Sequence, residues 1–405
     1  MTNHKLAISL ATVAALAGAS AQAQIRPTYQ FPSGATSGTP STQVGSTPIF
    51  FTPYLGVAVG HDDNVLLTRD NQRSSTYYNV SPGLKFDARD ATKVFQLNAQ
   101  TQIGRYVDSK EDNYVDHTVD AQFDAAFDRR NFLRLGLQYL RGHDPRNSTD
   151  RGIGPTPDKF RLTSPSATYA FGAPGAAGRI ELYYTGTDRR YLNNRATTAA
   201  FDRTGQELGG AFYARLAPKT YFVVEARSND FSYRQTGSLL NSDERRYFGG
   251  ISWEATAATT GTIKVGRLEK RFDSNLPSFS STAWEALVTW APLTYSRFDF
   301  YAGRTTNEVT AVGVGNFIVS DTAGVTWTHS WNSVLSTAVL ARYQKDEYQG
   351  FERNDDVKSI GFKVGYRFRR WLTLGAEYTH TQRDSDRSLF EYDKNFYLLT
   401  ATASM

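Results

Sequence analysis

SIGFKVGYRFRRWLTLGAEYTH, residues 359–380, alternates with a period of two. Ile360, Phe362, Val364, Tyr366 and Phe368 take every second position, with Ser359, Gly361, Lys363, Gly365 and Arg367 between them. After Arg369 and Arg370 the alternation resumes as Leu372, Leu374, Ala376 and Tyr378 against Thr373, Gly375, Glu377 and Thr379. Successive side chains of an extended strand point to opposite faces, so this is a pair of strands around a tight turn. One face is oily and the other wet.

The same step of two recurs along the chain. It runs through Leu55, Val57, Val59; Tyr78, Val80, Pro82, Leu84, Phe86; and Phe95, Leu97, Ala99, with Gln96, Asn98, Gln100 and Gln102 opposite. Further on it includes Val119 to Phe127, Leu133 to Tyr139, Ile180 to Tyr184, Leu208 to Ala214, Phe222 to Ala226 and Trp284 to Trp290. The connections alternate in length. Short ones fall at 89–91, 129–130, 173–177, 217–219, 257–260, 291–293, 329–332 and 369–370; long polar ones include 61–74, 142–159, 228–245 and 344–356.

Of 405 residues, 13% are aromatic, with 23 Tyr and 25 Phe but 2 Met and no Cys. Aromatic and β-branched residues suit pleated, half-buried surfaces. The 45 Lys and Arg nearly balance 40 Asp and Glu, and the signs are interspersed, which gives no nucleic-acid footprint. Absent cysteine excludes disulfides and a lipid-anchored cysteine.

The first residues, MTNHKLAISLATVAALAGASAQAQ, have a polar or positive start, an apolar run from Leu6 to Leu16 and a small-x-small site at Ala21-Gln22-Ala23. This is the pattern of a cleaved secretory signal over 1–23. Residues 24–48, rich in Pro, Gly, Ser and Thr without periodicity, read as a flexible periplasmic leader, and 49–405 as the folded part.

Past the signal no run of 18 apolar residues occurs, and mean hydropathy is −0.47. The strands nevertheless carry one face too apolar for water. In a bilayer every backbone N–H and C=O must find a partner within the protein, and the strand solution is a closed barrel. The expectation is therefore an all-β, transmembrane, antiparallel up-and-down β-barrel of about eighteen strands, sixteen being the nearest alternative, with short periplasmic turns and long outer loops. Outer-membrane lipid and lipopolysaccharide would surround it. Tyr397, Leu399, Ala401, Ala403 and Met405 form an alternating C-terminal strand of the kind read by the barrel assembly machinery, with Met405 where such strands commonly end on Phe.

Trp253, Trp290, Trp327, Trp331 and Trp371 lie near short turns and suggest an interfacial belt on the periplasmic side. The wet phase predicts a lumen lined by Lys85, Asp116, Asp120, Asp124, Arg134, Arg215, Glu225, Arg227, Glu254, Lys264, Glu285, Arg297, Asp299, Lys363, Arg367 and Glu377. Mixed signs fit compensated cross-strand pairs or a polar track for a hydrated sugar chain. Tyr183, Tyr213, Tyr221 and Tyr301 fit either that track or internal packing. Catalytic residues are not expected: His143, His329 and His380 lack a spaced nucleophile and acid and read as solvated loop, turn or strand-end residues. His61-Asp62-Asp63-Asn64 and Asp355-Asp356 read as turn chemistry rather than a calcium loop, and no motif calls for a metal or cofactor.

Residues 249–308 show a Gly-rich strand with Trp, a Thr-rich turn, a return strand, an aromatic-Glu strand and Trp290-Ala291-Pro292. With Gly60-His61-Asp62-Asp63-Asn64-Val65, this resembles the outer-membrane β-barrel porins associated with exopolysaccharide operons, the EpsL-like group. The resemblance runs from about residue 50 to the end and implies a barrel linked to polysaccharide synthesis or export, with no catalytic residues to carry over. The expected function is a channel or export component for an exopolysaccharide, acting with a polysaccharide chain and its export apparatus. The alternative is a general diffusion porin for small hydrophilic solutes; a barrel enzyme and a soluble secreted β-protein are further rivals.

Overall fold

The computed structural model describes residues 41–254 and 258–405. The signal-sequence reading over 1–23 lies outside the described residues. Of the stretch 24–48, residues 41–48 are described, and there Thr42 and Gln43 pair with Phe51 and Phe50 as a short strand added to the first barrel strand.

Eighteen strands form the barrel. They are β1 (Ile49–Asp62), β2 (Ser75–Arg89), β3 (Lys93–Tyr106), β4 (Tyr114–Ala126), β5 (Asn131–Asp144), β6 (Asp158–Phe171), β7 (Gly178–Tyr191), β8 (Arg203–Ala217) and β9 (Thr220–Tyr233). The second half comprises β10 (Ser242–Trp253), β11 (Thr259–Phe272), β12 (Phe279–Leu293), β13 (Ser296–Glu308), β14 (Phe317–Ser330), β15 (Leu335–Gln349), β16 (Asn354–Arg369), β17 (Leu372–Ser385) and β18 (Tyr392–Ser404). Each pairs antiparallel with its chain neighbours, and β18 returns to β1 from Phe396↔Asp62 to Ser404↔Tyr54. The ring therefore has no free edge.

Among the described residues the outward face is apolar and bare of protein cover: Leu182 is 55% exposed, Leu208 65%, Val265 59% and Leu399 60%. These residues gain nothing from water and find no second layer to pack on, whereas hydrocarbon accommodates them. Strands of 12 to 16 residues exceed the roughly 9–11 needed to cross a bilayer. The excess projects on the side of the longer connections.

That projection corrects several expected boundaries. The connection expected at 344–356 is only 350–353, because β15 and β16 continue through charged residues that stand above the apolar band. The loops expected at 61–74, 142–159 and 228–245 shorten likewise to 63–74, 145–157 and 234–241. Ala291-Pro292-Leu293 is not a turn but the irregular end of β12, where the register shifts between Trp290 and Leu293. Pro tolerates this place because the ladder is already interrupted there.

The outward aromatics gather at the short-turn side. Trp290, Phe298 and Trp327 are successive cross-strand partners on β12, β13 and β14, with ring centroids 5.1 and 6.1 Å apart. His329, at the end of β14, packs at 4.4 Å against Trp331, and Trp371 stands exposed in the β16–β17 turn. Trp253 ends β10 and lies over Gly261, where a Cβ would come within 2.6 Å of the indole.

His61-Asp62-Asp63-Asn64 acts at the seam. Lys394 Nζ donates to Asp62 at 2.7 Å, the Asn395 backbone and side chain donate to the two Asp63 oxygens, and Asn64 donates to the Asp393 carbonyl at 2.8 Å. First and last strands are thus clasped just where their ladder ends. Asn64 is fully buried and also bonds Thr68 in both directions. Asn64→Ala leaves these backbone groups unmatched and is expected to cost about 3 kcal/mol. The check is denaturant unfolding in detergent followed by heat-modifiable mobility; an unchanged midpoint contradicts the clasp.

Candidate functional site

The inward face divides into two unlike walls. On β7 to β13 charged groups are buried against each other. Arg227 donates to both oxygens of Glu285 at 2.7 and 2.8 Å, and Lys264 bridges Glu225 at 2.7 Å and Glu285 at 2.9 Å. Tyr183 adds a hydroxyl to Glu225. Above this cluster, Lys270 Nζ and the Tyr233 hydroxyl both donate to Glu308 at 2.7 Å, and Glu244 is held by Arg246 and Thr306. Arg227–Glu285, Lys264–Glu225, Tyr183–Glu225, Lys270–Glu308, Tyr233–Glu308 and Thr306–Glu244 join strands two to four places apart, so this wall is drawn in upon itself. Glu225, Glu244, Glu285 and Glu308 each have a cation, which limits the cost of burial.

The wall of β2 to β5 is different. Lys85, Gln96, Asn98, Gln100, Gln102, Asp116, Thr118, Asp120, Gln122 and Gln138 share its inward face and stay half-buried or exposed. Cross-strand register places Asn98 between Lys85 and Asp120, and Gln96 between Asp87 and Gln122. The Tyr54 hydroxyl donates to Asn98 at 3.1 Å, Gln96 to Asp87 at 2.9 Å and Gln138 to Asp120 at 3.1 Å. The result is a sheet of amide donors and acceptors edged with carboxylates. An eighteen-strand barrel is wide enough to leave water beside it.

The sequence-predicted residues distribute between these walls. Glu225, Arg227, Lys264 and Glu285 meet in one cluster, while Asp124 pairs with Arg134 at 2.7 Å, Lys363 with Glu377, and Arg297 with Asp299 at 2.6 Å. Lys85 sits over the Tyr54 ring at 5.7 Å, and Arg215 donates to the Gly175 carbonyl near the short-turn rim. Arg367 is half-buried near the end of β16. Glu254 differs from expectation: it lies exposed just beyond β10, in the connection and off the strand wall. Tyr183 and Tyr301 lie flat on their cross-strand partners Gly209 and Gly324, with less than 3 Å available for a Cβ, so they are packing elements. Glu244, Arg246, Lys270 and Glu308 were missed. Glu244 was assigned to a loop, whereas Lys270 follows Lys264 and Leu268 in the inward phase and could have been read from it.

His143 and His329, expected in a loop and a turn, belong to strands, and His380, expected near a strand end, lies within one. His143 lies in β5, bonded to Asp116 at 2.9 Å and 4.1 Å from the Tyr114 ring, and His380 in β17 meets Asn395 at 3.1 Å. Burial of their aromatic bodies against neighbours outweighs solvation at these places. Among the described residues, no group of three His or carboxylate side chains is placed to hold a metal ion.

The long-loop mouth is bridged. Connection 145–157, between β5 and β6, places Asp150 against Thr310 in the β13–β14 connection, nearly half a ring away. Asn147 donates to the Leu67 carbonyl at 2.6 Å, and Arg383 of β17 donates to the Asn147 carbonyl at 2.8 Å. Beside this strap, Phe160, Tyr191, Phe201, Tyr233 and Val309 form a buried apolar cluster. The mouth is therefore narrowed from above by this strap.

The sequence model of a family described as "Putative beta-barrel porin 2" matches residues 43–405. A BenF-like porin from Pseudomonas fluorescens Pf-5 is similar at 10% identity and a TM-score of 0.50, covering 88% of this chain and 99% of that one. The outer membrane protein opdK from Pseudomonas aeruginosa is similar at 14% identity and a TM-score of 0.46, covering 88% and 99%. No curated protein matches the chain.

Burial raises the Asp150 carboxyl above its ordinary value, opposed by the hydrogen bonds from Thr310 and the charge of Arg353. A docked loop with a raised pKa holds its proton more tightly than a free one. Docking is then strongest below the ordinary carboxylate range and weakens as pH rises through the raised value. A nitroxide on Ile153→Cys is expected to become more immobile as pH falls from 8 to about 4. Asp150→Asn should hold it immobile throughout; the opposite slope, or an unchanged slope in the variant, contradicts the assignment.

Proposed function

The chain belongs to this β-barrel porin family, and from that premise we propose that it is an outer-membrane channel for polyhydroxylated solutes, serving the passage of an exopolysaccharide chain. The channel nature and outer-membrane place rest on the family and on the lipid-facing barrel; porins are channels rather than enzymes. The observation that carries the solute class is the amide-rich wall of β2 to β5.

A sugar chain presents hydroxyls that both donate and accept, and Gln96, Asn98, Gln100, Gln122 and Gln138 offer both functions along one face. Such contacts exchange readily with water, so a chain is held weakly and can move on. Compensated charges on the opposite wall keep a neutral polymer from meeting a field of one sign. The link to exopolysaccharide rests on the resemblance over residues 249–308 and 60–65. In this reading the partners are the polymer, its export apparatus, the barrel assembly machinery and the surrounding lipopolysaccharide, and export follows cleavage of residues 1–23.

The test is open-channel current in planar bilayers with neutral oligosaccharides added. The proposal expects concentration-dependent block, deeper than that by polyethylene glycol of equal size. Gln96→Ala with Gln100→Ala should weaken block about tenfold, as the loss of two modest hydrogen bonds implies. Equal block by both polymers, with normal extracellular polysaccharide in a deletion strain, supports a general diffusion porin instead.

A further inference from the structure

Above the apolar band, the outward face of β4 to β7 carries like charges in register. Arg141 of β5 is the direct cross-strand partner of Arg161 of β6, and Arg161 of Arg190 of β7. His117 of β4 is the partner of Arg141, and Lys159 stands exposed two residues above Arg161 on the same face. Like charges directly opposite each other in a sheet repel, so the file is unfavourable unless an anion sits across it. Among the described residues, of the three arginines only Arg190 has a carboxylate, Asp188 at 3.2 Å, which it shares with Arg234 at 3.3 Å. Arg141 and Arg161 make no ion pair or side-chain hydrogen bond among the described residues.

The position of the file points to its counter-ion. On β5 the outward residues below Arg141 are Leu133, Leu135, Leu137 and Tyr139, so the file lies where hydrocarbon gives way to headgroups on the long-loop side. Next to it, Leu84, Ala99, Thr101, His117 and Val119 line a notch of about 360 Å³, with Pro82 at its upper rim, level with Thr101 and His117. His117 belongs to both features, and Thr101 meets its Nδ1 at 3.0 Å. An apolar recess continuous with paired guanidiniums fits a molecule that has acyl chains and a phosphate together. Guanidinium forks match phosphate oxygens in pairs, which turns the repulsion of Arg141 and Arg161 into a bidentate grip.

We propose that this rim binds a phosphorylated glycolipid of the outer leaflet, with Arg141 and Arg161 holding its phosphate and the notch between β2 and β4 receiving an acyl chain. The site rests on the outer-membrane reading but not on the solute that crosses the lumen. It orients the barrel against one leaflet and covers a charged face that the fold itself leaves uncompensated.

Purified barrel in detergent, titrated with bis-phosphorylated lipid A and followed by native mass spectrometry, tests this. The wild type is expected to retain one lipid tightly, and the doubly substituted Arg141→Gln, Arg161→Gln protein at least tenfold less. Dephosphorylated lipid A should lose a similar factor on the wild type and little further on the variant. Heat-modifiable mobility confirms that both proteins are folded, and open-channel current, expected equal in both, separates failure here from failure of the channel reading. Equal retention by the two proteins overturns the proposal. So does complete competition by millimolar inorganic phosphate, which would make the file a free-anion site.

Discussion

Every strand of this chain depends on the hydrogen bond between β18 and β1. Hydrocarbon offers backbone amides no partner, so a sheet of eighteen strands can stand in it only when the last ladder is made. The seam is also the costliest contact in chain entropy, because it joins residues more than 330 positions apart. Its reinforcement is correspondingly dense. Asp62, Asp63 and Asn64 meet Asp393, Lys394 and Asn395 at the end of the ladder, so an acidic motif that superficially suggests a cation loop is a fastening between chain ends.

Closure forces a second condition. With the outward face given to lipid, all charge within the membrane must be turned inward, where neighbours decide whether it is tolerable. On the wall of β7 to β13 the answer is mutual compensation: Arg227 with Glu285, Lys264 with Glu225 and Glu285, Lys270 with Glu308. Those contacts tie this wall to itself, whereas the inward face of β2 to β5 is rich in amides rather than ions. The strap of residues 145–157 narrows the mouth from the long-loop side, held by Asp150 and Asn147.

Architecture was legible because two-residue periodicity is a local signal repeated in every hairpin. Eighteen strands, the alternation of short and long connections and the outward positions of Ile360, Phe362, Tyr366 and Phe368 follow from it. Loop ends were less legible, since strands that rise above the bilayer become polar on both faces and lose their period; Lys345, Asp346 and Glu347 sit in β15 for this reason. Inward residues could be identified by phase, as with Glu225, Arg227, Lys264 and Glu285, but which of them meet depends on ring curvature, which no local pattern carries. The strap was hidden for the same cause: the bond from Asp150 to Thr310 spans 160 residues.

The central claim is that hydrocarbon is the solvent of the outward face. Single nitroxides along residues 359–368 of β16, with the barrel reconstituted in lipid bilayers, test it most directly by comparing access of oxygen with access of a water-soluble nickel chelate. The account predicts that positions 360, 362, 364 and 366 favour oxygen, which concentrates in acyl chains, and that 359, 363 and 367 favour the chelate. Equal chelate access at both phases would contradict it, because the greasy side would then face water or another protein layer.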